Sequence, residues 1–146
     1  MKIESPAFKN NGLIPSKYTC DGIEVNPPLV ISDVPKNAKS LALVVDDPDA
    51  TGGTWIHWTV WDIDPEIIEI PENSCPPNTI QGVTDSGSSG YCGPCPPSGT
   101  HRYFFKLYAL NSELKIGNSA RSTDIEREMR GKILAKAELI GLYRRK

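Results

Sequence analysis

Two histidines, two aspartates and a Cys-Gly-Pro-Cys run are the groups in this 146-residue chain with chemistry to offer. His57 and His101 are its only histidines, and each stands beside an unusual loop. "DDPDATGG" (46–53), holding Asp47 and Asp49, precedes His57. "CGPCPPSG" (92–99) precedes His101, and Tyr103 follows two residues on. A Pro/Gly loop offers backbone N–H groups, and such concave arrangements receive anions. Histidine, tyrosine hydroxyl and amides converging on one point would suit a phosphate or sulfate. A nearby carboxylate would raise a histidine's pKa or hold its ring in place. Each residue alone also has a plainer reading, since a strand histidine is usually a satisfied core residue and "DPDATGG" is turn chemistry. The coincidence of both histidines with special loops favours a site.

Other chemistries fit less well. A thioredoxin-type Cys-x-x-Cys must open a helix after a strand, where the helix terminus activates the leading thiol. Here Cys92 and Cys95 are followed by Pro-Pro-Ser-Gly and an alternating strand pattern, and preceded by the loop "TDSGSSGY" (84–91). A zinc ribbon needs a second close ligand pair, and Cys20 and Cys75 are far apart in sequence. Cys92 and Cys95 therefore read as loop thiols, with a Cys20–Cys95 disulfide left open. Asp47, His57 and His101 could form a two-His-one-carboxylate metal site of an enzyme, although no pair has metal-typical local spacing. A calcium loop starting at Asp47 fails at its twelfth position, which is Trp58. A hydrolase using His57 with Ser86, Ser88 or Ser89 lacks a nucleophile elbow.

The elements that must position these groups are mostly strands. "KSLALVVDD" (39–47) is a continuous apolar run typical of a strand buried on both faces. "TWIHWTVWDI" (54–63) alternates, which puts Trp55, His57, Thr59 and Trp61 on one face and Ile56, Trp58 and Val60 on the other. "HRYFFKLYAL" (101–110) groups His101, Tyr103, Phe105, Leu107 and Ala109. A single helix is expected over 122–137, opened by a Thr123–Glu126 capping pair and carrying Ile125, Met129, Ile133 and Ala137 on one face. Gly131 weakens it by about 1 kcal/mol relative to Ala. "AELIGLYRR" reads as a last strand. The expected fold is mainly β, two packed antiparallel sheets with one C-terminal helix.

Bulk properties narrow the function classes. The length suits one domain, residues 1–146, with one sizeable core. A net charge of −2 gives no case for nucleic acid, and no apolar run matches a membrane span. With no secretory pattern in residues 1–20, the expected compartment is the cytoplasm. Residues 121–146 hold 8 of 16 basic and 4 of 18 acidic residues, which reads as a solvated basic face.

The quoted segments also carry a family resemblance. "DDPDATGGTWIHW" (46–58) and "GYCGPCPPSGTHRYFFKLYAL" (90–110) resemble the two signature regions of the phosphatidylethanolamine-binding protein family, also called Raf kinase inhibitor-like. "SPAF" (5–8), "YTCDG" (18–22), "NPPL" (26–29) and "GKILAKAELIGLY" (131–143) resemble its bacterial and archaeal branch. The resemblance implies a two-sheet β fold with a small anion pocket near one end. It assigns Asp47, His57, His101 and Tyr103 to that pocket, Pro96 and Pro97 to its rim, and Gly93 and Cys95 to neighbouring backbone. The chain departs from many members at Thr51, where they have proline, and at Cys92, where they have glycine. The function implied is non-enzymatic: a binding or regulatory protein that recognises a phosphorylated group on a lipid headgroup, nucleotide or partner. No cofactor is implied. A kinase or a serine protease as the inhibited partner, and a homodimer, are within the family's range.

Overall fold

The computed structural model describes residues 1–145; Lys146, the last of the basic tail, lies outside the described residues. Three long strands form the frame. β4 (Ser40–Asp47) runs between β5 (Trp55–Ile63) and β8 (His101–Leu110), antiparallel to both. β9 (Ile133–Tyr143) extends the sheet along β8, with His101 opposite Tyr143. Short β2 (Gly12–Leu13) and β7 (Ile80–Gln81) complete a six-stranded sheet of order β2-β9-β8-β4-β5-β7. Among the described residues the β2–β9 pair is the one parallel exception to the antiparallel pattern. The second sheet has three short strands, β1 (Lys2–Glu4), β3 (Leu29–Ser32) and β6 (Glu69–Ile70), in the order β1-β3-β6.

Every residue of β4 is buried, which explains its unbroken apolar run: a central strand covered on both sides cannot alternate with water. Leu41, Leu43 and Val45 enter the main core with Trp58, Val60, Phe105, Leu107 and Leu139, packed against Ile3, Leu29 and Ile31 of the small sheet. Ala42 faces the other way, into a smaller cluster with Trp61, Leu110, Ile125 and Met129 under the helix.

That helix, α1 (Ser122–Met129), is half the expected length. Gly131 follows at φ 76°, left-handed backbone suited to a residue without Cβ. The chain then turns and enters β9, so Ile133 and Ala137 belong to a strand, not to the helix. The helix is thus the penultimate element. Its start also differs from the expected Thr123–Glu126 pair: the Asp124 carboxylate accepts the Arg121 backbone N–H at 2.9 Å. In the basic segment that follows, Arg127 meets Asp124, Lys132 meets Glu128 and Arg145 meets Asp21. Among the described residues no helix is long and apolar enough to cross a membrane.

Candidate functional site

β4, β5 and β8 end together, and their ends carry the site. Asp47 is the last residue of β4 and His101 the first of β8. The His101 ring donates from Nδ1 to Asp47 Oδ2 at 2.7 Å, both side chains being nearly fully buried. The other Asp47 oxygen, Oδ1, accepts the backbone N–H of Asp49 at 2.8 Å, which makes Asp47 a turn former as well. Asp49 is gripped by Arg102 through its side chain at 2.8 and 2.9 Å and its backbone N–H at 3.0 Å. Those hydrogen bonds from Arg102 hold the Asp49 carboxyl down at about 2. The loop after β4 is thereby anchored to the start of β8.

His57 reaches the same place by an irregularity. Strict alternation puts it with Thr59 and Trp61, away from Trp58. In the structure Val45 pairs with Trp58 while the next residue, Asp46, pairs with Ile56. His57 is the extra residue of a β-bulge, and a bulge turns two successive side chains toward one side. Trp58 enters the main core, and the His57 ring meets Tyr103 edge-on with centroids 5.2 Å apart. The expectation that His57 shares a face with Trp61, which lies under the helix, is corrected by that single inserted position.

The loop 91–99 closes the third side. His57 and Cys92 exchange two bonds: the Cys92 N–H donates to His57 O at 2.9 Å, and His57 Nδ1–H to Cys92 O at 2.8 Å. The Tyr91 hydroxyl donates to Tyr18 O at 2.7 Å. Gly93 lies so close to the 18–24 segment that a Cβ would fall 2.7 Å from Tyr18 O and 2.8 Å from Glu24 Cγ. Its N–H donates to the Glu24 carboxylate at 3.1 Å, and Pro94, Pro96 and Pro97 have no N–H. The expected cradle of free amides is therefore absent at Gly93, whose donor is spent on an internal carboxylate. Cys95 is not a thiol but is joined to Cys20 in a disulfide, while Cys92 and Cys75 are free.

These parts enclose a cleft of about 290 Å³ lined by all eight residues singled out from the sequence: Asp47, His57, Gly93, Cys95, Pro96, Pro97, His101 and Tyr103. Four more line it: Ala50, Thr51, Trp55 and Cys92. Ala50 carries no chemical signal in a sequence, and the alternation of β5 marks Trp55 as a strand residue only. Each histidine commits its Nδ1 to protein and has no protein partner at Nε2 among the described residues. Burial lowers the His57 pKa, against the hydrogen bond to Cys92 and the charges of Asp47 and Asp46, which raise it. The ring is therefore neutral at pH 7, with a bare acceptor Nε2. Burial, with Asp47 beside it, pushes the Tyr103 phenol up, so it stays a donor. Burial and the Glu24 charge push the Cys92 thiol up as well. Among the described residues no three His, Cys, Asp or Glu side chains surround a common point; Asp47 and His101 bond each other instead.

Fold and cleft define a class: a two-sheet β protein with a small, histidine-floored pocket at the end of its central strands. The chain belongs to the phosphatidylethanolamine-binding protein family, whose model matches residues 4–144. It is 49% identical to a UPF0098 protein of Methanothermobacter thermautotrophicus over 99% of both chains. A UPF0098 protein of Pyrococcus horikoshii is 46% identical over 97% of this chain and 76% of its own length. Among solved structures, a phosphatidylethanolamine-binding protein homologue of Chlamydia trachomatis superimposes with a TM-score of 0.96 at 40% identity, over 99% of this chain and 97% of that one. YbcL of E. coli superimposes at 0.92 and 30% identity, covering 99% and 98%.

Proposed function

We propose that this protein is a non-enzymatic binding protein whose cleft takes a small anionic group, a phosphate or a phosphorylated headgroup or side chain. The observation that carries the reading is the division of labour in the two rings. Each imidazole fixes its orientation through Nδ1 and keeps Nε2 unspent, and the Tyr103 phenol lines the same cleft as a third polar group. A neutral His57 becomes a donor at Nε2 only by taking up a proton, and a dianion beside it supplies the compensating charge. Binding is then coupled to proton uptake. The volume suits a phosphate with a few attached heavy atoms and excludes a whole lipid.

A regulatory role toward a kinase, or inhibition of a serine protease, would follow from the cleft accepting a partner's phosphorylated or acidic side chain. The exposed Trp55 at the cleft wall suits such a contact. The proposal takes the cytoplasm as the compartment and leaves room for a homodimer.

The test is a titration with inorganic phosphate and with phosphoethanolamine, followed through the two histidine ring signals by NMR. Both rings are expected to shift together and to saturate. An intact fold with neither ring moving at millimolar anion overturns the proposal. Saturation by phosphoethanolamine but not by phosphate would assign the affinity to the headgroup.

A further inference from the structure

Two of the four cysteines line one wall of the cleft and a third is bonded to one of them. Cys92 and Cys95 both line it, three positions apart across Gly93-Pro94, and Cys95 is tied to Cys20. Toward the chain's amino-terminal side the loop is well held, by Tyr91 to Tyr18, Gly93 to Glu24, and Pro94 O accepting the Cys20 N–H at 3.1 Å. From Cys95 onward the disulfide and the buried Pro96 hold the loop, while residues 97–100 are exposed and Pro96 and Pro97 have no N–H to give. The one covalent tie between the rim and the 18–24 segment is thus the Cys20–Cys95 bond, with a free thiol three positions before Cys95.

We infer that Cys92 is an exchange partner of this clasp, giving the rim two alternative disulfides. The Cys92 thiolate attacks Cys95 Sγ; the Cys92–Cys95 bond forms as the Cys20–Cys95 bond breaks. Cys20 leaves as a thiolate and takes up a proton equivalent to the one Cys92 lost. No external oxidant or reductant enters, because one disulfide replaces another. The Cys-x-x-Cys spacing is one that disulfides span, and Gly93-Pro94 is turn chemistry. Exchange tightens residues 92–95, cuts the covalent link to the 18–24 segment, and carries Pro96 and Pro97 away from His57 and His101.

The resting state resists the step. Glu24 supplies the facing charge, Ser86 a hydroxyl and Tyr91 a neighbouring phenol; burial and Glu24 keep the Cys92 thiol protonated. Each unit of fall in that pKa raises the thiolate population about tenfold at neutral pH. Glu24→Gln removes the charge but keeps an acceptor for the Gly93 N–H.

The native protein is held at pH 7 or pH 9, quenched with acid, and its free thiols are labelled with N-ethylmaleimide and located by peptide mass spectrometry. Expected labels at pH 7 are Cys75 and Cys92. At pH 9 label moves from Cys92 to Cys20 with Cys75 unchanged, and Glu24→Gln shows the same shift at lower pH. In Cys92→Ser, checked for folding by circular dichroism, Cys20 stays unlabelled. Cys20 unlabelled at pH 9 in both wild type and Glu24→Gln overturns the inference. So does label movement that involves Cys75, or Cys20 labelling in Cys92→Ser, since either means general scrambling.

Discussion

Replacing His57 by alanine separates a binding residue from a core residue, and the structure sets the scale of each effect. The ring makes one hydrogen bond, Nδ1–H to Cys92 O, and one edge-on contact with Tyr103. A hydrogen bond of this kind contributes about 1 kcal/mol and an aromatic contact about 0.5–1.5 kcal/mol. Cys92 and His57 both line the cleft, so water can enter in place of the ring and the full cost of an orphaned acceptor does not arise. The expected loss of stability is therefore about 2 kcal/mol, a Tm drop of roughly 4–8 °C for a chain of this size. Anion binding loses a charge-assisted hydrogen bond, about 1.5–3 kcal/mol, or roughly a 10- to 150-fold rise in Kd. Calorimetry gives the first quantity, and the His101 ring signal followed through a phosphate titration gives the second. Unchanged phosphate affinity, or a destabilisation beyond about 4 kcal/mol, refutes the reasoning, because His57 would then be packing alone.

Four further outcomes are expected. Because burial depresses the His57 pKa in the fold below its unfolded value of about 6.5, the unfolded chain binds more protons as pH falls through that window. His57's contribution to stability is then intact above pH 6.5 and declines below it, by at most about 1.4 kcal/mol per pH unit; thermal melts of wild type and His57→Gln from pH 8 to 5 should differ in that slope. Phosphate affinity should move the opposite way, rising as pH falls toward about 6, where phosphate itself protonates. Gly93→Ala drives a Cβ to 2.7 Å from Tyr18 O, and urea melts should show a loss of about 1–3 kcal/mol, with both histidine signals displaced. Breaking the clasp in the Cys20→Ser/Cys95→Ser double variant opens a loop of sequence separation 75; chain entropy puts the loss near 4 kcal/mol, and a melt unchanged within error would contradict it.

The long strands were legible because their apolar runs are unusual: Ser40–Asp47, Trp55–Ile63 and His101–Leu110 fall within a residue of their sequence limits. The short strands of the small sheet were not, since two to four residues held by tertiary contacts carry no period. Residues 125–137 mislead for another reason. Ile125, Met129, Ile133 and Ala137 fit a helix, but Leu139, Gly141 and Tyr143 fit a strand, and the Gly131 turn decides where one pattern gives way to the other. The bulge at His57 has no local signature, because it depends on the register of β4 against β5. For the site, the two loops, both histidines, Asp47 and Tyr103 were readable as types, and the family signatures supplied Pro96 and Pro97. The commitment of the Gly93 amide to Glu24 and the pairing of Cys95 with Cys20 depend on distant chain coming close.

A choice between core histidine and ligand histidine is the wrong one for this fold. β4 ends in two acids, and alternation sends Asp46 to the outer face and Asp47 to the cleft. Each acid is nearly fully buried and needs a partner. Asp46 takes Lys106 at 2.9 Å, yet among the described residues its Oδ1 has no partner, and burial raises its pKa. The Lys106 ammonium reaches one oxygen, and on its flexible four-carbon stem its remaining donors have no fixed direction. Asp47 instead takes His101, a ring with two nitrogens on opposite edges. Nδ1 meets the structural demand of the buried carboxylate, and that bond aims Nε2. His57 repeats the device with the Cys92 carbonyl in place of a carboxylate. A lysine at either position would keep free donors but no rigid ring to aim them at a ligand. Imidazole at the ends of β5 and β8 does both, so variants of the two rings should lose stability and affinity together, in a ratio set by which nitrogen the replacement retains.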